Sequence, residues 1–211
     1  IMNKLIISLL ALSITFMVSA ESVKTFVGCD NKAKTSFAII TDAETYEKCK
    51  AEIHDYRNVL ENEGLGTYII ADDWQSPEDI KKVISEIAYK KPRLEGIVLV
   101  GDIPIVMVRE GQHMTTAFKM NEQKYGLEAS VPSDRFYDDF DLKFDFIQQD
   151  KNRHDMFYYR LSEEGAQSLR PEIYSSRMKV PAVMPGDKYD IMKSYLKKVV
   201  AAHKETNYLD N

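Results

Sequence analysis

Carboxylates are the residues of this chain whose placement most invites chemistry. Asp42, the pair Asp72 and Asp73, and Asp102 each follow an apolar run. If those runs are parallel strands, the carboxylates gather beyond the strand ends, where open parallel sheets hold their ligands. A metal or phospho-acceptor pocket, as in a receiver domain, is one use of such a set. Helix capping and turn formation are the other. A second group lies in SDRFYDDFDLKFD, with Asp134, Asp138, Asp139, Asp141 and Asp145. Calcium takes clustered carboxylate and carbonyl oxygens from loops, so Asp134, Asp138, Asp139 and Asp141 are candidate calcium ligands. The spacing is not that of an EF-hand, which has a central Gly and a terminal Glu, and a solvated acidic turn reads the same way.

Thiolate and imidazole chemistry has less to work with. Cys29 and Cys49 are the only cysteines. Cys49 shares a helical face with Ile53 and Tyr56, which predicts a buried, unpaired thiol; export from the cytoplasm would instead permit a Cys29–Cys49 disulfide. No CxxC pair or Cys/His cluster has zinc spacing. His54, between Lys50 and Arg57, is expected at the surface. His203 is expected at a helix C-terminus, where positive charge is favoured, and His113 and His154 in loops. HExxH, GxSxG, Walker and GxGxxG patterns are absent. No residue is assigned a catalytic role on these grounds.

The elements that would position these groups follow an α/β rhythm. FAIIT (37–41) reads as a buried strand. Thr41-Asp42-Ala43-Glu44 is a capping-box pattern, and Tyr46, Cys49, Ile53, Tyr56 and Leu60 continue it at helical spacing. Gly64 and Gly66 end that helix. TYIIAD (67–72) is a second strand. Ser76-Pro77-Glu78-Asp79 opens a second helix with Ile80, Val83, Ile84 and Ile87 on one stripe, stopped by Pro92. GIVLVGD (96–102) is a third strand, apolar on both faces. Such strands alternating with helices predict a mostly parallel sheet covered on both sides, a three-layer α/β/α fold of Rossmann-like or caspase-like type. Residues 103–141 read as loop, given Pro104, Gly111, Gly126 and Pro132. LKFDFI (142–147) and MFYYRL (156–161) read as an inserted β-hairpin at the edge of the sheet or over it. PEIYSSRMKV (171–180) is a further strand, and Asp187 caps a last helix with Ile191, Met192, Tyr195, Leu196, Val199 and Val200 on one face. A strand would ordinarily follow that helix, and none is present before Asn211.

Composition fits a folded domain: 211 residues, 44% hydrophobic and 29% charged, with 9 Gly and 7 Pro. Net charge is −5, from 28 Lys+Arg against 33 Asp+Glu, so there is no basic surplus for nucleic acid or an anionic membrane surface. MNKLIISLLALSITFMVSA carries Lys4, an uncharged apolar core and Val18-Ser19-Ala20, the order of a signal peptide cleaved before Glu21. The core is short for a membrane span. The expected division is a leader at 1–20, a polar lead-in at 21–35 and an α/β domain at 36–211. The mature chain would be exported to the periplasm, cell surface or medium, without a membrane anchor. Ile1 ahead of Met2 reads as a translated fragment, with the domain incomplete at its C-terminus.

Four segments in order add a resemblance. Leu99-Val100-Gly101-Asp102 with Ile103-Pro104 comes first, then Ser133-Asp134 with Tyr137. Pro171-Glu172-Ile173-Tyr174 with Arg177 follows, and last comes the helix opened by Asp187. Over roughly residues 36–206 this series resembles the gingipain-type cysteine peptidases, whose fold is similar to that of caspases. Ser176 stands where that family usually has Gly, and the segment 138–169 is longer than its usual turn. The resemblance implies a His–Cys dyad, with His before a Gly after one strand and Cys after the next, both beyond the last helix. This sequence has no His-Gly pair, and both cysteines precede His113 and His154. The implied reading is the N-terminal scaffold portion of an exported cysteine endopeptidase acting on proteins or peptides. It needs no cofactor beyond the calcium candidate, and this chain alone is expected to be inactive. A catalytically silent exported member used for binding or secretion, and a Rossmann-type binding domain, are the alternatives.

Overall fold

The computed structural model describes residues 23–114 and 119–205, so the expected leader lies outside the described residues. The first strand is short: β1 (Thr25–Val27) lies in the segment expected to be a polar lead-in. β2 (Thr35–Asp42) follows. Its run of Phe37, Ala38, Ile39 and Ile40 offers no polar side chain to solvent on either face, and all four are buried. The carboxylate of Asp42, rather than the hydroxyl of Thr41, caps α1 (Ala43–Asn62) by accepting from Thr45 N at 2.8 Å. β3 (Leu65–Asp72), α2 (Pro77–Ala88) and β4 (Arg93–Val100) continue the alternation. Ser76 and Asp79 form the reciprocal capping box of α2, satisfying two donors that the first turn leaves unpaired.

The next segment departs from the expected loop. β5 (Ile105–Arg109), the short helix α3 (Glu122–Tyr125), β6 (Val131–Pro132) and the one-turn helix α4 (Arg135–Asp138) occupy it. The expected hairpin is present as β7 (Phe144–Gln149) and β8 (Met156–Leu161), antiparallel. It belongs to a second sheet, ordered β6-β5-β8-β7, in which β5 and β8 run parallel. β9 (Tyr174–Met178) then returns to the first sheet, and α5 (Lys188–Lys204) closes the described chain.

The first sheet is ordered β1-β3-β2-β4-β9. The pairs β2–β3, β2–β4 and β4–β9 are parallel, and β1 runs antiparallel to β3. Alternate residues face opposite ways. Phe37, Ile39, Ile69, Ala71, Val98 and Val100 pack against Cys49, Ile53, Val59, Leu60, Met192 and Leu196 of α1 and α5. Ala38, Ile40, Ile70, Ile97 and Leu99 pack against Ile80, Val83, Ile84 and Ile87 of α2, in a core that runs on into the second sheet through Val106, Tyr137, Phe157 and Tyr159. Each fully buried Ile or Leu contributes roughly 1.5–3 kcal/mol of transfer free energy. The three layers are α1 with α5, the sheet, and α2 with the second sheet. Among the described residues no helix is long and apolar enough to cross a membrane.

Candidate functional site

β2 and β4 are neighbours whose onward connections leave on opposite faces, so the crevice of an open α/β sheet falls at their C-terminal ends. Asp42 and Asp102 meet there. Asp42 Oδ2 accepts from the backbone N–H of Asp102 at 2.7 Å, while its other oxygen caps α1. Gly101 makes the approach possible. Its φ is +89°, and a side-chain carbon at that position would strike the Asp42 carboxylate and the Thr45 hydroxyl. Asp102 in turn holds Lys179, just past β9, at 2.8 Å and Lys188, in the first turn of α5, at 2.7 Å. Lys179 also reaches Asp155 at 3.1 Å. Burial works against the Asp102 carboxylate, but hydrogen bonds and charge from the two lysines outweigh it and hold its pKa below the usual value. The crevice is stapled by ion pairs, and the space left beside Gly101, Thr45 and Met192 is only about 20 Å³. Asp72 and Asp73 stand apart, with Asp72 Oδ1 taking the Asp73 N–H and Asp73 paired with Lys24.

The second acidic group is dispersed onto protein partners. Asp134 takes a two-pronged contact from Arg177, Nε at 3.1 Å and Nη2 at 2.7 Å. Asp138 is fully buried, receiving Arg135 Nη2 at 2.5 Å and the Ser175 hydroxyl. Burial is the largest influence on it. It overrides the hydrogen bond from Ser175 and the charge of Arg135, with Asp134 and Asp139 adding repulsion, and the pKa rises to about 6. Asp139, also fully buried, accepts from Arg170 N at 2.8 Å. Asp141 is exposed. Oδ1 of Asp138 and of Asp139 has no hydrogen-bond partner. The structure does not gather Asp134, Asp138, Asp139 and Asp141 into a cation cage, and among the described residues no group of three or more Asp, Glu, His or Cys could hold a metal ion.

Arg177 carries more than its ion pair. Nη1 donates to Ile103 O at 2.8 Å and Nη2 to Pro104 O at 3.1 Å. The hydroxyl of Tyr137, a fully buried side chain, donates to the same Pro104 carbonyl at 2.8 Å. Glu172 accepts from Phe140 N at 2.6 Å, and Arg135 donates to Ser175 Oγ at 3.1 Å. Three of the four segments that carry the family resemblance therefore converge on one guanidinium. The fourth, opening with Asp187, places Lys188 in the staple.

Both cysteines are free thiols. Cys49 is fully buried at a kink inside α1, and burial drives its pKa up to about 11. Its sulfur lies 3.8 Å from the Tyr189 carbonyl, a weak contact that supplies no base. His54, expected at the surface, is half-buried instead, because its ring reaches back one turn pair to the Tyr46 hydroxyl at 3.1 Å; burial and the charges of Arg57 and Lys50 lower its pKa. His203 pairs with Glu63 at 2.6 Å, tying α5 to the end of α1. An apolar pocket of about 340 Å³ lies between β5, β6 and β7, lined by Val108, Met114, Val131, Leu142, Phe144 and Arg135 among others; among the described residues no Cys, His, Asp or Glu lines it.

Sequence reasoning found Asp42, Asp102, Asp134 and Arg177, but not that Asp42 meets Asp102 and Asp134 meets Arg177, nor that two lysines hold Asp102. Lys179 and Lys188 carry no local signal, because their significance depends on β9 and α5 lying beside β4. No family model, no curated protein and no solved structure matches the chain.

Proposed function

We propose that this domain is the non-catalytic scaffold of an exported, gingipain-like cysteine endopeptidase. The observation that carries the reading is the convergence on Arg177. Residues spread from Ile103 to Arg177, the ones that make up the resembling segments, form one clamp rather than a reactive centre. Clamp residues of this kind fix the relative position of β4, α4 and β9, which is a scaffold's task. The dyad chemistry implied by the resemblance needs a thiolate next to a base. Cys49 is held as a neutral thiol inside a core, and the ion pairs of Asp102 fill the strand-end crevice. The catalytic His and Cys then belong to another part of a longer polypeptide. There, the thiolate would attack a peptide carbonyl, with His relaying the proton.

Two measurements test this. The coding sequence adjoining this one should encode a His-Gly pair and a Cys, each after an apolar strand; strands without either residue would favour the silent exported member instead. Incubated alone with a peptide library under reducing conditions, the chain should show no thiol-dependent cleavage, and cleavage abolished by Cys49→Ala would overturn the proposal.

A further inference from the structure

The apolar pocket between β5, β6 and β7 takes no part in the scaffold reading. Its volume, about 340 Å³, lies in the range that small-ligand sites occupy, about 300–1,000 Å³. Much of its wall comes from the part of the chain that departs from the resembling family. Leu142, Phe144 and Leu169 belong to the long segment 138–169, and Val108 to β5 of the second sheet. The ring of Phe144 is fixed by Phe136, 5.1 Å away between centroids, and by the Lys81 ammonium, 5.4 Å from its centre, so that wall is preformed. Leu169 is 41% exposed, so the pocket opens to solvent.

Polar side chains in the wall are few. Among the described residues they are the Arg135 guanidinium and the Ser133 hydroxyl, two residues apart in the chain. Asp138 and Ser175 engage Arg135 through Nη2 alone; Nε and Nη1 have no acceptor among the described residues, and the side chain is 32% exposed. Ser133 Oγ accepts the Arg135 backbone N–H at 3.3 Å, which leaves the hydroxyl hydrogen to donate. Two neighbouring donors in an otherwise apolar wall suit a ligand with an apolar body and one terminal carboxylate, the group a guanidinium fork binds best. A phosphate would bring a second charge, and the wall holds no second cation to meet it. A peptide C-terminus has the right head group, but it would carry backbone amides against walls that offer them no partner. An alkyl chain has no such groups.

We propose that this pocket binds a free medium-chain fatty acid, with the alkyl chain against Val108, Leu142, Phe144 and Leu169 and the carboxylate on Arg135 and Ser133. The apolar walls supply affinity through buried area, and the two donors fix which end of the ligand enters where. The site is separate from the peptidase reading, because no residue of it belongs to the strand-end crevice and it needs no thiol.

Isothermal titration calorimetry of the purified chain with sodium decanoate tests this. Saturable binding of one decanoate per chain is expected. Decan-1-ol keeps the alkyl chain and loses the carboxylate, so it should bind about tenfold more weakly or worse. A tripeptide ending in a free leucine carboxylate should also bind more weakly than decanoate. Leu169→Asp sets a charge in the apolar wall at an exposed position, and it should abolish decanoate binding with the urea midpoint unchanged. Arg135→Gln is made together with Asp138→Asn, which leaves no buried charge unpaired. That double variant should bind decanoate and decan-1-ol equally. No saturable binding, full binding by Leu169→Asp, a preference for decanoate that survives in the double variant, or either comparison ligand binding as tightly as decanoate would overturn the proposal.

Discussion

The strand-end staple and the Arg177 clamp set aspartates among cations, yet they leave those aspartates in opposite states. Asp102 sits half-exposed between two lysines, and its pKa falls. Asp138 sits fully buried against one arginine that is itself shared with Ser175, and its pKa rises to about 6. Both carboxylates meet burial as their largest single influence. What differs is the number of donors aimed at each and the sign of the next neighbours, which for Asp138 are Asp134 and Asp139. An ion pair alone does not say whether a carboxylate is comfortable; the count of donors against the depth of burial does.

Removing Arg177 should do the greatest damage. Arg177→Met leaves Asp134 without its partner and removes one hydrogen bond each from the carbonyls of Ile103 and Pro104, the latter keeping that of Tyr137. A loss of about 3–5 kcal/mol is expected, read as a fall in the urea midpoint. A loss under about 1 kcal/mol would mean that the rest of the clamp holds without it.

Asp138 gives the pH test. Its folded pKa, about 6, lies above the ordinary 3.8, so the folded state takes up the proton first. The stability tied to that proton is fully present below pH 3.8 and is lost as the pH rises through 6. On acidification from pH 7 to 5 this group should therefore stabilise the fold, by an amount on the order of 1 kcal/mol. Asp138→Asn should flatten that part of the profile. Asp102 behaves in the opposite sense: its contribution is present above the ordinary carboxylate pKa and fades only as pH falls through its lowered value. A melting profile in which Asp138→Asn tracks the wild type from pH 7 to 5 would remove the contrast.

The smallest effect belongs to the staple. Lys188 and Asp102 are each 46% exposed, so Lys188→Ala should cost no more than about 1 kcal/mol, falling further in high salt. A larger loss would place the staple on a par with the clamp.

Much of the main sheet was legible because its signals are local. Continuous apolar runs marked β2, β3 and β4, and Ser76, Pro77 and Asp187 marked helix starts. β1 was hidden because three residues carry no period, and its strand character comes from lying against β3. β5 was hidden behind Pro104: Ile105, Val106, Met107 and Val108 are a strand-like run, but their partner β8 lies some fifty residues on. The site was legible by residue and not by contact. The resemblance picks out Ile103, Asp134, Tyr137 and Arg177 one by one, whereas their meeting needs the second sheet to fold between β4 and β9. The calcium reading of Asp134, Asp138, Asp139 and Asp141 rested on proximity in sequence, whereas the first two are claimed by Arg177, from the strand 171–180, and by Arg135, whose pairing needs the turn of α4.

The second sheet also bears on the order in which the molecule assembles. β4 ends at Val100 and β9 begins at Tyr174, so the two cannot zip together until everything between them has shortened the path. β2, α1, β3, α2 and β4 have only short connections to close and should form an early unit, with β9 and α5 joining late. Late arrival on one side of a sheet means early departure from it. Under native conditions the amides of β9 should exchange with solvent deuterium sooner than those of β2 and β4, and uniform protection across the sheet would show that it opens as one piece.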